Sequence, residues 1–96
     1  MKYYILTYTF VENYLEKRTP YRKDHFEVAK TAVAAGSLLL GGATEGPGET
    51  GVLIFQVKDK SQVETFAAQD PYVKNGIVSS WEIKEWNVVL GSMLEV

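Results

Sequence analysis

Two stretches of this chain are apolar on both of their alternating faces, and that restricts the folds open to it. Over residues 3–10, Tyr3 and Ile5 alternate with Tyr4, Leu6, Tyr8 and Phe10, and over 52–57, Val52 and Ile54 alternate with Leu53, Phe55 and Val57. Such β-branched and aromatic runs suit a pleated, packed surface. A sheet with one wet side would interleave polar residues, so these strands need cover on both sides. With 96 residues the chain is expected to form one domain, residues 1–96, with a modest core. Its own helices can cover one face of a sheet. A second copy of the chain is the simplest cover for the other, because large apolar patches mark interfaces and symmetric dimers are the commonest oligomers.

The punctuation along the chain supplies the helices. A polar segment from Glu12 to Arg18 leads to Thr19-Pro20. There Thr19 is placed to cap a helix, and Pro20 suits its first position, where the N–H has no partner anyway. The helix should run to about Ala35 and stop at Gly36. On a 100° wheel Phe26, Val28, Ala29, Ala32 and Val33 share one arc, and Lys23, Glu27, Lys30 and Thr31 lie opposite. A second strand follows at 38–40, then a glycine-rich loop over 41–51, then the strand at 52–57. Ser61-Gln62-Val63-Glu64 reads as a capping box opening a second helix, with Val63, Phe66 and Ala67 on its buried face. Pro71 should end that helix at Asp70 and leave a short turn to Asn75 before Gly76. A fourth strand is expected over 77–83, followed by an apolar extension over 86–90.

This order is β-α-β-β-α-β, an α+β ferredoxin-like arrangement. Right-handed crossovers put both helices on one face of a four-stranded antiparallel sheet. The start of the first helix, the glycine loop and the end of the second helix then share one end of the sheet. His25 falls near the centre of the first helix's apolar arc and Arg22 falls inside it, so two polar side chains point where a core should be. The topology brings Arg18, Arg22, His25 and Asp70 toward one place.

Composition removes several function classes. Ten Lys and Arg against twelve Asp and Glu give a formal charge of −2, which offers no attraction to a polyanion, so no nucleic acid partner is expected. There is no cysteine, which excludes thiolate catalysis, disulfides and Cys-ligated zinc. A single His argues against a His-rich metal site, and no metal or organic cofactor is expected. The glycine loop lacks the Gly-Lys-Ser/Thr ending of a phosphate loop. No stretch approaches the roughly 20 apolar residues that cross a bilayer, and the N-terminal segment lacks a signal-peptide cleavage site. The expectation is a cytoplasmic protein with no membrane partner.

His can move a proton either way near neutral pH, and a carboxylate on its other ring nitrogen fixes the tautomer. His25 and Asp70 are candidates for such a pair. Equally, His25 can pack in the core with one hydrogen bond while Asp70 caps the turn begun by Pro71, accepting from the N–H of Tyr72 or Val73. Arg22, aimed into an apolar arc, needs an anionic partner: a substrate group or a neighbouring Glu or Asp. Arg18 precedes the helix and is a candidate for substrate charge or a solvated loop residue. Tyr8, Tyr14 and Tyr72 can line a pocket for a ring or serve as core. Trp81 and Trp86 read as packing residues at an interface or at the end of the last strand.

Arg18-x-x-x-Arg22-x-x-His25, Gly36-x-Leu38-Leu39-x-Gly41-Gly42 and Asp70-Pro71-Tyr72-Val73-x-x-Gly76-Ile77 together resemble the YCII-related domain, over most of the chain. The resemblance implies a dimeric α+β barrel in which two ferredoxin-like sheets face each other, and an active site on His25 and Asp70. One branch of that family is similar to dehydrochlorinases acting on chlorinated hydroxyquinols. The expected function is a small-molecule lyase or proton-transfer enzyme. In it His25 is the acid/base, Asp70 orients it, and Arg22, Arg18, Tyr72 and Tyr8 bind substrate. The alternative is a non-catalytic homodimeric module that holds a metabolite in the same pocket. A haem-degrading monooxygenase would use the lone His as an iron ligand.

Overall fold

The computed structural model describes residues 1–46 and 49–94; the middle of the expected glycine loop, 47–48, lies outside them. The elements are β1 (Lys2–Phe10), α1 (Tyr14–Lys17), a 3-10 turn (Thr19–Tyr21), α2 (Arg22–Ala34), β2 (Leu38–Ala43), β3 (Thr50–Val57), α3 (Lys60–Gln69), α4 (Pro71–Lys74) and β4 (Val78–Trp86). The four strands form one sheet in the order β2-β3-β1-β4. All three pairings are antiparallel. This is the ferredoxin-like α+β arrangement expected from the order of elements.

Register sorts the two apolar sets of the central strands. Tyr4, Leu6 and Tyr8 of β1 are buried, as are Leu53, Phe55 and Val57 of β3, and they pack with Val63, Phe66 and Ala67 of α3. Phe55 and Phe66 meet edge to face at 5.0 Å. Each such ring removed from water contributes about 1.5–3 kcal/mol. The other set, Tyr3, Ile5 and Thr7 paired with Gln56, Ile54 and Val52, lies on the opposite face and is only half-buried. On that face Leu40 pairs with Ile54 and Trp86 with Tyr3, and both Leu40 and Trp86 are exposed.

Several local expectations need correction. Thr19 does not cap α2: its hydroxyl donates back to the Leu15 carbonyl at 3.3 Å, because the 12–18 segment is not a loop but holds α1. That four-residue helix starts after Asn13, which takes the left-handed φ of 61° that Asn tolerates better than most side chains, and it is anchored by buried Tyr14. The capping box of α3 sits two residues earlier than expected. Asp59 accepts from the Ser61 N–H at 2.9 Å, and the Gln62 side chain accepts from the Asp59 N–H. Asp is as good a cap as Ser, and it begins the helix at Lys60. β2 runs to Ala43 and β3 starts at Thr50, so ladder pairing claims both ends of the expected loop. β4 extends to Trp86. Gly36, with φ of 78°, ends α2 where expected.

Gly51 is required by close approach rather than by φ. A Cβ there would meet the Phe10 ring at 2.9 Å and Tyr8 Cβ at 3.2 Å. Gly51→Ala is therefore expected to destabilise the fold by about 1–3 kcal/mol through overpacking. Urea unfolding of the variant should show the loss as a lower midpoint at unchanged slope; an unchanged midpoint would mean that Phe10 has room to move.

Candidate functional site

Asp70 is the organising residue. It continues the buried spacing of α3, and Pro71 holds it in an extended conformation, φ −66° and ψ 122°, so that it both ends α3 and caps α4. Its side chain is fully buried at 0% exposure, a position a carboxylate occupies only when its oxygens are satisfied. Oδ1 accepts from the Tyr72 N–H at 3.0 Å and lies 2.8 Å from His25 Nδ1. Oδ2 accepts from the Tyr8 hydroxyl at 2.7 Å. The two readings of Asp70, turn cap and His partner, are thus both realised by one oxygen.

This arrangement fixes the His25 ring. An ionised carboxylate only accepts, so with Asp70 ionised the Nδ1 that faces it is the nitrogen to carry the proton of a neutral imidazole, which leaves Nε2 its lone pair. The ring stacks on Tyr72 with centroids 3.8 Å apart and planes 4° from parallel. Phe26 meets its edge at 5.5 Å. Hydrogen bond and stack together remove both rotations of the side chain. Burial, followed by the Asp70 charge and hydrogen bond, pushes the Tyr8 phenol well above its ordinary range. Burial also raises Tyr72, against the opposing charges of Arg18 and Arg22 nearby.

For Tyr8 the sign of the linkage is definite. A phenol raised on folding contributes stability that is complete below its unfolded value of about 10 and is lost as pH rises beyond it. The unfolding free energy should fall above pH 10, with a contribution from Tyr8 approaching about 1.4 kcal/mol per pH unit. Tyr8→Phe should flatten that dependence. A wild-type profile that stays level from pH 9 to 11 would contradict a buried phenol.

His25 opens onto a cleft of about 490 Å³ between α2 and the β2–β3 hairpin. Arg18, Arg22, Tyr8 and Tyr72 line it as well, with Asp70 behind His25. The start of α2, the hairpin and the end of α3 do meet at one end of the sheet. Arg22 is exposed and takes part in none of the ion pairs among the described residues, so the neighbouring-carboxylate alternative is not realised. Its guanidinium lies 4.9 Å from the Phe26 ring centre, and that of Arg18 lies 5.4 Å from Tyr14. Tyr14 is not among the cleft residues; it is core, stacked on Phe10 at 4.3 Å.

Three features of the cleft escaped the sequence. Lys30, assigned to the polar side of the helix, lines it. Phe26 and Val33, assigned to the buried arc, are 41% and 56% exposed and line the cleft instead. Gly41 and Gly42 form a wall as part of β2. The signal that could have found the wall was the small-residue run itself, since glycines in a strand mark close approach of a neighbour or ligand. Among the described residues no group of three or more metal-ligating side chains is assembled, and no helix is long and apolar enough to span a membrane.

Comparison with known proteins agrees with this architecture. A computed family model, the YCII-related domain, matches residues 1–87. An uncharacterized protein of Haemophilus influenzae is 31% identical over 96 residues, spanning 91% of this chain and 98% of the relative. Among solved structures, the 5-chloro-2-hydroxyhydroquinone dehydrochlorinase of Burkholderia phenoliruptrix, in complex with 2,5-dihydroxybenzoquinone, superimposes with a TM-score of 0.76. It does so at 19% identity, over 88% of this chain and 93% of that one. A protein from Agrobacterium tumefaciens superimposes with a TM-score of 0.60 at 20% identity, over 99% and 100% of the two chains. At those identities the likeness to the solved structures is one of fold. The family match over nearly the whole chain, together with the full-length relative, establishes that this chain belongs to the YCII-related domain family.

Proposed function

We propose that this chain is a homodimeric enzyme that moves a proton on a small anionic molecule, in an elimination or isomerisation. The observation that carries the reading is the buried Asp70 carboxylate holding His25 by Nδ1 at the wall of a cleft. This leaves Nε2 as the nitrogen that can take a proton from a ligand and return it. In an elimination, Nε2 removes a proton from the substrate, the electron pair so released forms the new double bond, and the leaving anion departs with its own electrons. Asp70 stabilises the imidazolium formed. Arg22, with Arg18 beside it, supplies positive charge for a carboxylate, phenolate or leaving halide. Such preorganised charge is most effective where charge develops during reaction.

The fold likeness to a dehydrochlorinase crystallised with 2,5-dihydroxybenzoquinone makes hydroxyquinols and dihydroxyquinones the first compounds to test. A panel of halogenated hydroxyquinols and hydroxy acids should contain one that the protein turns over. His25→Ala should reduce that turnover by about 10²–10⁴-fold with the circular dichroism spectrum unchanged. Ligand binding that survives the substitution, with no turnover by either protein, would instead make this a metabolite-binding module.

A further inference from the structure

Tyr8 was expected at the ligand, but its phenol is 1% exposed and its hydroxyl is committed to Asp70 Oδ2 at 2.7 Å. We propose that Tyr8 is a positioning residue: by occupying Oδ2 from the sheet side, it orients the Asp70 carboxylate so that Oδ1 holds His25 in the Nδ1–H tautomer. This rests on the reading of His25 as the acid/base only for its catalytic consequence; the positioning itself is a statement about three side chains.

The geometry supports it from each side. Backbone fixes Asp70 only through Oδ1, by way of the Tyr72 N–H; without Tyr8, Oδ2 would have no protein donor among the described residues, and the contacts on Oδ1 alone would oppose rotation of the carboxylate about its last bond. Tyr8 can act as a stop because it cannot move. It sits on the inner strand β1, between Gly51 on β3 and Trp81 on β4, and Phe10 packs on its edge at 6.3 Å between ring centres. The glycine across from it lets Phe10 lie close. Its phenol also stays protonated throughout the neutral range, since burial and the Asp70 charge oppose ionisation, so it is a donor at every pH at which His25 would work. A core tyrosine without this role would need only some acceptor; here it takes the second oxygen of the one carboxylate that holds the imidazole.

Because the chain has a single histidine, a long-range ¹H–¹⁵N spectrum reports His25 alone. In the wild-type protein above pH 8 the ring should show one tautomer, with Nδ1 protonated. Tyr8→Phe should convert it to a mixture and speed exchange of the Nδ1 proton with water at least ten-fold, while the backbone amide spectrum outside the site stays in place. A Tyr8→Phe protein that keeps one tautomer and a slowly exchanging Nδ1 proton overturns the proposal. Should that variant not fold, the wild type provides a second measurement. A phenol proton donated to a buried carboxylate exchanges slowly and is visible downfield in water, and it should disappear in Asp70→Asn. Absence of any such resonance in the wild type overturns the proposal equally. The acid/base reading fails separately, through lack of turnover with the tautomer effect intact.

Discussion

Asp70→Ala is expected to destabilise the protein by about 3–5 kcal/mol, because it strands three donors at once. The Tyr8 hydroxyl, the Tyr72 N–H and His25 Nδ1 all end on its two oxygens. A buried donor left without its partner costs about 1–3 kcal/mol, and more is lost when the partner was charged. His25, partly open to the cleft, can recover water; Tyr8 at 1% exposure and the backbone of buried Tyr72 have far less access. Asp70→Asn should cost less, about 1–2 kcal/mol. Its amide oxygen can still accept from His25 and Tyr72, and its NH₂ can donate to a Tyr8 hydroxyl turned to accept. What it loses is the charge that makes such bonds about twice as strong. Urea unfolding of the two variants checks the order. If Asn proves as damaging as Ala, the charge rather than the bonding pattern carries the site, and if Ala costs under 1 kcal/mol the network is not as described.

The second large effect concerns the open face of the sheet. Ile54→Asp should leave the monomer folded and abolish the proposed homodimer. Ile54 pairs with Ile5 and Leu40 on the face away from the helices, where Leu40 is 62% exposed and Trp86 44%. Two such faces in contact would bury at least about 1,200 Å² in total, the size of a stable interface. A carboxylate buried there without a partner costs several kcal/mol, and symmetry places one from each copy in the same contact. Each 1.4 kcal/mol is a tenfold loss of affinity. Sedimentation at micromolar concentration should show the wild type as a dimer and the variant as a folded monomer. A monomeric wild type would rule out the homodimer, and an unfolded variant would put Ile54 in the core.

Legibility in the sequence followed the strength of each local signal. The strand and helix order could be read because Tyr3–Phe10 and 52–57 carry long β-prone runs and Val63, Phe66 and Ala67 keep a helical spacing. Asp70 was conspicuous because it continued an apolar spacing immediately before Pro71, and His25 because it stood in an apolar arc. Their contact is nonlocal, and two things connected them: the crossover rule and the resemblance to the YCII-related domain, which implies a site on both. Boundaries failed where a residue type serves two structures. Gly41 and Gly42 suit a loop and also a strand that walls a cleft, and Ser61 suits an N-cap but was outcompeted by Asp59. Tyr8 could be placed near the site but not given its partner, because whether a tyrosine hydroxyl meets a ligand or a carboxylate depends on a few ångströms of packing beneath the sheet. Arg22 falls inside the core arc on the wheel; instead it lines the cleft with its guanidinium over Phe26.

In the proposed mechanism Asp70 presents His25 to the cleft as a base through Nε2. The most direct test is the protonation state of the two ring nitrogens of the only histidine, read from the long-range ¹H–¹⁵N spectrum of the wild-type protein above pH 8. A protonated Nδ1 and a bare Nε2 are expected, with only Nε2 responding when a small anion fills the cleft. A protonated Nε2 with a bare Nδ1 would contradict it, because the nitrogen facing the carboxylate would then have no proton to give and the one left for a ligand would have no lone pair to accept with.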